Sequence, residues 1–332
     1  MTRCGIIGAG AWGTALAGLC AEAGHDTRLW AFEPDVAASI NELHENRRFL
    51  AGVRLPDRLL ATTQCAEALA GADVVVYATP SHHLRAILRS GAARADPGAT
   101  LVVATKGIER TSLALMTTVV SEEAPEFDVV GLSGPSFAVE VARGEPTAVV
   151  AACRTDGPAR RVQSVLSSRS FRVYTHDDVT GVELGGALKN VMAVATGIVE
   201  GVGLGYNSRA ALITRGLHEM TRLGLALGAK AATFAGLAGI GDLVLTCTGA
   251  LSRNRALGIE VGKGASLAAA LAGKETVAEG VTTAASALVL AEQHGVDMPI
   301  VQMVNRILFD GQSARSAVAE MMARELRPEQ DR

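Results

Sequence analysis

Arg3-Cys4-Gly5-Ile6-Ile7-Gly8-Ala9-Gly10-Ala11-Trp12-Gly13 is the stretch whose reading decides the fold. Residues 3–7 form a short apolar run suited to a buried strand, and residues 14–23 carry on from the glycines with a helical pattern. Gly-x-Gly-x-x-Gly between a strand and a helix is the arrangement that holds a dinucleotide. Gly8 permits the tight turn, Gly10 lets the backbone approach a pyrophosphate, and Gly13 allows close packing of helix on strand. The helix N-terminus then offers N–H donors and a positive dipole end to the phosphates. Alone the motif is weak in a chain with 36 glycines. A second strand at 26–31 and an acid, Glu33, twenty residues past Gly13 strengthen it.

Working outward, residues 73–79, 99–105, 128–133, 147–152 and 171–174 are further β-branched apolar runs separated by helical stretches. Such runs indicate a parallel sheet covered on both faces. Beyond residue 180 no strand pattern remains, and residues 207–228, 253–262, 279–294 and 299–309 read as helices. The predicted fold class is α/β: a Rossmann-type, doubly wound, mostly parallel sheet over residues 1–180, then an all-α domain over 181–332. Ligands of open parallel sheets sit beyond the carboxyl ends of strands. That makes Pro80-Ser81-His82, Lys106-Gly107 and Ser133-Gly134-Pro135-Ser136 candidate site segments. His82 and His83 read as solvated at a helix start.

Across residues 184–199 Lys189 is the only charge, among Leu184, Leu188, Val191, Met192, Ala195 and Ile198 at helical spacing. A lysine buried there lowers its pKa toward neutrality, as a general acid–base step requires. The plainer alternative is a lysine that snorkels its head to water. Lys106 follows a strand, where a cation can reach a substrate; a surface lysine in a loop is the competing reading. The segment 133–138 closes another strand with turn chemistry, and an ordinary turn is its plain alternative. Asp242 is one acid among glycines and apolar residues. Ser252 looks like an N-cap, with Arg253 in the first helical turn. The helix dipole disfavours a cation there, so Arg253 is better explained if it and the free N–H groups face an anion such as phosphate.

Composition excludes several classes. Net charge is −3, aromatics are 4% and no basic cluster is extended enough to follow a nucleic-acid backbone. Mean hydropathy is +0.25, yet no run of about eighteen uninterrupted apolar residues suggests a membrane span. The uncharged stretch 4–21 is too glycine-rich for an export signal. Five scattered cysteines without a C-x-x-C pair suggest reduced thiols in a cytoplasm and no metal site. His218-Glu219 opens like a zinc-protease motif, but Arg222 stands where the second histidine is needed. Residues 327–332 are rich in charge, carry a proline and read as a frayed end.

Residues 8–17, Lys106-Gly107-Ile108-Glu109, residues 133–138, residues 181–190, residues 241–246 and Ser252-Arg253-Asn254 occur in an order that resembles the bacterial NAD(P)-dependent sn-glycerol-3-phosphate dehydrogenases. The resemblance covers nearly the whole chain. It implies reversible reduction of dihydroxyacetone phosphate to sn-glycerol 3-phosphate, the backbone of membrane phospholipids, with NAD or NADP as cofactor. Lys189 would be the proton donor and acceptor. Lys106, Gly134, Ser136, Asp242, Ser252, Arg253 and Asn254 would surround a phosphorylated three-carbon substrate, with Lys106 and Asp242 assisting the chemistry. Ala11, Trp12, Lys106, Ala138, Arg253, Val277 and Glu279 would touch the cofactor, and a homodimer is the expected assembly. One departure concerns the end of the second strand, where the family commonly has a basic residue and this chain has Phe32. Phe32 can pack on adenine but cannot pair a 2′-phosphate, so a tilt toward NADH is expected unless Arg47, Arg48 or Arg54 folds back to supply the charge. The rival readings are a β-hydroxyacid dehydrogenase, which has less reason for Ser252-Arg253-Asn254, and a non-enzymatic NAD(H) sensor, which needs no buried lysine.

Overall fold

In the computed structural model, residues 1–273, 278–326 and 328–329 are described. Val277 and most of the segment expected to fray, residues 327 and 330–332, lie outside them. Eight strands form one sheet: β1 (Arg3–Ile7), β2 (Asp26–Trp30), β3 (Leu60–Thr62), β4 (Val74–Tyr77), β5 (Thr100–Val103), β6 (Asp128–Ser133), β7 (Thr147–Ala152) and β8 (Phe171–His176). Their order is β3-β2-β1-β4-β5-β6-β7-β8, so the direction of winding reverses between β1 and β4. β4 and β5 are buried throughout because helices cover both faces. Val74 and Val76 enter the core on one face, while Val75 and Tyr77 enter the core on the other, the period of two expected of a strand. β8 lies at the edge and alternates, with Phe171 and Val173 buried and Arg172 and Tyr174 exposed.

The sheet is mostly parallel, as expected, and two of its details carry no sequence signal. β7 runs antiparallel to β6, pairing Ser133 with Val150 and Gly131 with Ala152. Residues 134–146 hold a single five-residue helix, Ala138–Ala142, packed on the first helix, Ala11–Glu22, and the chain returns beside β6 rather than crossing the sheet. Strand β3 carries no sequence signal, being three residues long with Leu60 exposed.

Beyond β8 the chain is helical. The central helix, Val179–Gly201, is wrapped by Tyr206–Ala226, Asp242–Thr248, Arg253–Gly262 and Glu279–Gln293. Its apolar positions from Leu184 to Ile198 are fully buried. Among the described residues two stretches are long and apolar enough for a membrane span by length and composition alone: this helix, whose most apolar window is 94% buried inside the fold, as the core helix of a globular protein is, and Ala231–Thr248, which is 44% buried. The second is interrupted at Gly239 by non-helical backbone.

Candidate active site

The carboxyl ends of β1, β4, β5 and β6 present Gly8, Ser81, Lys106 and Gly134 toward the helices that carry Lys189, Asp242, Arg253 and Glu279. At the β1 end, Gly8 adopts φ 113°, which a side chain would strain. A Cβ on Gly13 would overlap the Gly8 carbonyl, whereas a Cβ on Gly10 would meet nothing within 4 Å. The backbone is thus closely packed behind the turn and open in front of it. The Ala11–Glu22 helix begins there with no side-chain cap and no acid in its first turn. These residues fit a dinucleotide pyrophosphate.

The chemistry-bearing cluster is a carboxylate shared by two ammonium groups. Asp242 is fully buried, and its Oδ1 accepts from Lys189 Nζ while its Oδ2 accepts from Lys106 Nζ at 2.7 Å. Lys106 Nζ also donates to the Gly134 carbonyl at 3.3 Å. Asp242 can come this close because Gly185 lacks a side chain: a Cβ there would overlap the Ala238 carbonyl of the turn that precedes Asp242. Thr246 Oγ1 donates to the Asp242 carbonyl at 2.6 Å. Lys189 is 8% exposed, so it does not snorkel. Burial pushes its pKa down to about 8; Asp242 opposes that fall, and the Lys106 charge adds to it.

Ser252 caps the Arg253–Gly262 helix, its Oγ accepting from the Arg255 N–H at 3.2 Å, and no acid occupies the first turn. Arg253 is exposed and faces the charge of Glu279. Asn254 is engaged within the protein: its Nδ2 donates to Asn190 Oδ1 at 2.9 Å, and its Oδ1 accepts from the Gly280 N–H at 2.9 Å. Glu279 spans the two halves, accepting from the Ser81 N–H at 3.1 Å and from Ser81 Oγ at 2.6 Å. Ser136 Oγ turns back to the Gly134 carbonyl at 3.0 Å, and Ala138 starts the short helix against the first helix. His82 and His83 are exposed, as expected. The Asn190–Asn254 pair and the Ser81–Glu279 link were not legible beforehand, since each joins residues 64 and 198 positions apart.

The cofactor-preference region stands apart from this cluster, at the end of β2. Phe32 is 77% exposed, edge-on to Trp30 with ring centroids 6.4 Å apart. Of the three arginines considered there, Arg47 pairs with Glu45 and Arg54 with Asp57. Arg48 lies 3.6 Å from Asp35, in the first turn of the helix that follows Phe32. Glu219, from the failed zinc motif, is buried and accepts from the Ile300 and Val301 N–H groups.

A dinucleotide cradle on a doubly wound sheet, opposed by a buried lysine cluster, defines an oxidoreductase that depends on a nicotinamide dinucleotide. The family profile of the NAD-dependent glycerol-3-phosphate dehydrogenase N-terminus matches residues 3–158, and that of the C-terminus matches residues 178–319. The chain belongs to the NAD-dependent glycerol-3-phosphate dehydrogenases. It is 53% identical over 331 residues to glycerol-3-phosphate dehydrogenase [NAD(P)+] of Geobacter metallireducens, and 50% identical over 327 residues to that of Citrifermentans bemidjiense, with 98% of each chain covered in both cases. The crystal structure of glycerol-3-phosphate dehydrogenase from Coxiella burnetii superposes with a TM-score of 0.93 at 38% identity, covering 97% of this chain and 98% of that one.

Proposed function

We propose that this chain reduces dihydroxyacetone phosphate, reversibly, to sn-glycerol 3-phosphate, residues 1–180 holding the dinucleotide and residues 181–332 the substrate. The observation that carries the reading is the Lys106–Asp242–Lys189 cluster, at the sheet end where the dinucleotide cradle opens. NAD(P)H, when bound, supplies the hydride. Lys189 donates a proton to the substrate oxygen as the carbonyl carbon is reduced, a role suited to an ammonium held near pH 8. Lys106 stabilises the negative charge that develops on that oxygen, and Asp242 keeps both cations in place. Arg253 and the capped helix start behind it grip the phosphate, which orients the three-carbon chain.

The product would feed phospholipid synthesis, the protein would work in the cytoplasm with its five thiols free, and a homodimer is the expected assembly. In a coupled 340 nm assay, dihydroxyacetone phosphate should be turned over while unphosphorylated dihydroxyacetone and keto acids are not. Lys189→Ala should keep dinucleotide binding and lose about a hundredfold or more in kcat. A near wild-type rate would remove Lys189 from the mechanism.

A further inference from the structure

Lys106 and Lys189 belong to different halves of the molecule, so their separation has to be set by more than the shared Asp242. Lys106 runs into a tight loop, residues 107–115. Within it the Glu109 N–H donates to the Ala114 carbonyl and the Leu113 N–H to the Glu109 carbonyl, both at 2.9 Å, and Ile108 pairs with Leu115. Leu113 has φ 60°, a conformation that a branched side chain adopts only when its surroundings impose it. Ile108, Leu113 and Leu115 pack into the helical core beside Leu184 and Leu188 of the central helix. The loop of the sheet half is therefore seated in the helical half.

The helix that follows, Met116–Glu123, begins with Leu115 at its N-cap and no acid in its first turn, so nothing local accepts from its free N–H groups. The vacancy is filled from the central helix. Glu183 Oε1 accepts from the Thr117 N–H at 2.8 Å, and Oε2 accepts from Thr117 Oγ1. Gly131 of β6 leaves room for this side chain: a Cβ there would come within 3.4 Å of Glu183 Cγ. Glu183 stands six residues before Lys189, about 9 Å along the same helix.

We propose that Glu183 is a positioning residue: by capping the Met116–Glu123 helix it ties the far end of the Lys106 loop to the helix that carries Lys189, and so sets the distance between the two lysines. The inference rests on the reading of Lys189 as proton donor. The charged groups facing Lys189 are Asp242 and Lys106, and the neighbouring Cys247 thiol is pushed up to about 12 by burial and stays neutral.

The test compares Glu183→Gln, Glu183→Ala and Thr117→Val in the full chain. Gln keeps an acceptor for the Thr117 N–H and offers an N–H to Thr117 Oγ1, so its kcat should stay within about twofold of wild type. Ala should lower kcat about tenfold while the NADH Kd, read by fluorescence titration, changes less than about twofold. As Lys106 withdraws, the break in kcat/KM near pH 8 should move up by about half a unit. Thr117→Val removes only the hydroxyl and should move kcat and the break in the same direction, by about threefold and a smaller shift, which keeps the test open if the Ala variant does not fold. An unmoved pH break, or a rate loss equal to the loss of folded protein, would overturn the proposal. If Lys189→Ala proves active, the reading of the lysine fails instead, and the Glu183 split between kcat and NADH affinity can still be read separately.

Discussion

Replacing Asp242 by Asn removes the carboxylate that sits between the buried Lys189 ammonium and the half-buried Lys106 ammonium. Lys189 already sits near 8 against an ordinary 10.5, a depression of about 3 kcal/mol set mainly by burial and opposed by Asp242. At an effective dielectric constant of about 20, a unit charge pair at the 2.7 Å of the Lys106–Asp242 contact is worth about 6 kcal/mol before desolvation. Breaking such a buried pair costs about 3–5 kcal/mol net. Losing a third of that support lowers the Lys189 pKa by about one unit, to about 7, and losing more takes it lower. Reduction of a ketone needs the ammonium form, so the rate falls as pH rises through this pKa. In Asp242→Asn the break in kcat/KM for dihydroxyacetone phosphate should move from near 8 to about 7 or lower. In Lys106→Met, where a repelling charge is lost, it should move above 8 while the maximal rate drops. The measurement is kcat/KM from pH 6 to 10 at saturating NADH for both variants and wild type. If both breaks stay near 8, or both move the same way, the cluster does not tune Lys189 and the account of the proton is wrong.

Two further outcomes follow from other parts of the molecule. Phe32→Arg should raise the NADPH/NADH ratio of kcat/KM about tenfold, the worth of one charge-assisted hydrogen bond to a 2′-phosphate; an unchanged ratio would mean that position 32 is not at the 2′ site. Burial raises Glu219 from 4.5 to about 8, so its contribution to stability is full below pH 4.5 and is lost as pH rises through 8; Glu219→Gln should therefore flatten the fall in Tm between pH 5 and 9, and parallel curves would show that Glu219 does not titrate there.

The sheet was legible because its central strands are covered on both faces. Val74–Tyr77 and Thr100–Val103 bury every residue, which makes continuous apolar runs, and the glycine turn after β1 is recognisable from spacing. What failed was whatever depends on short connections. β3 has three residues, too few to show a period, and the reversal at β7 follows from how residues 134–146 pack on the first helix, not from the strand's own composition. The central helix was legible for the opposite reason: a single charge in a long apolar run is costly to bury, so Lys189 announced itself. Asp242 was weaker, one acid among glycines; of these Gly239 is needed because a Cβ there would overlap the Phe234 carbonyl, and Gly185 of the central helix because a Cβ there would overlap the Ala238 carbonyl, contacts that no sequence spacing displays.

Three acids that the sequence did not explain share one physical origin. The Met116–Glu123 helix has Leu115 at its N-cap, Pro299–Phe309 has Met298, and the turn Ser81–His83 has Pro80; none of these side chains can accept a hydrogen bond from the free N–H groups. Each vacancy is filled by a distant glutamate: Glu183 on Thr117, Glu219 on Ile300 and Val301, Glu279 on Ser81. A sequence displays the missing cap but not its donor element, because the partners stand 66, 81 and 198 residues apart. Burying a carboxylate is costly unless it is hydrogen-bonded, and an uncapped helix start supplies two donors in one direction. The two needs are met together. Glu183 and Glu279 each do so across the boundary between sheet and helices, whereas Glu219 joins two helices. The two that cross are the ones beside the lysine cluster and the Arg253 helix. A helix that starts on an apolar residue is thus a place to look for an acid from another element, and here two such acids, both half-buried, tie the sheet to the helices beside the candidate site.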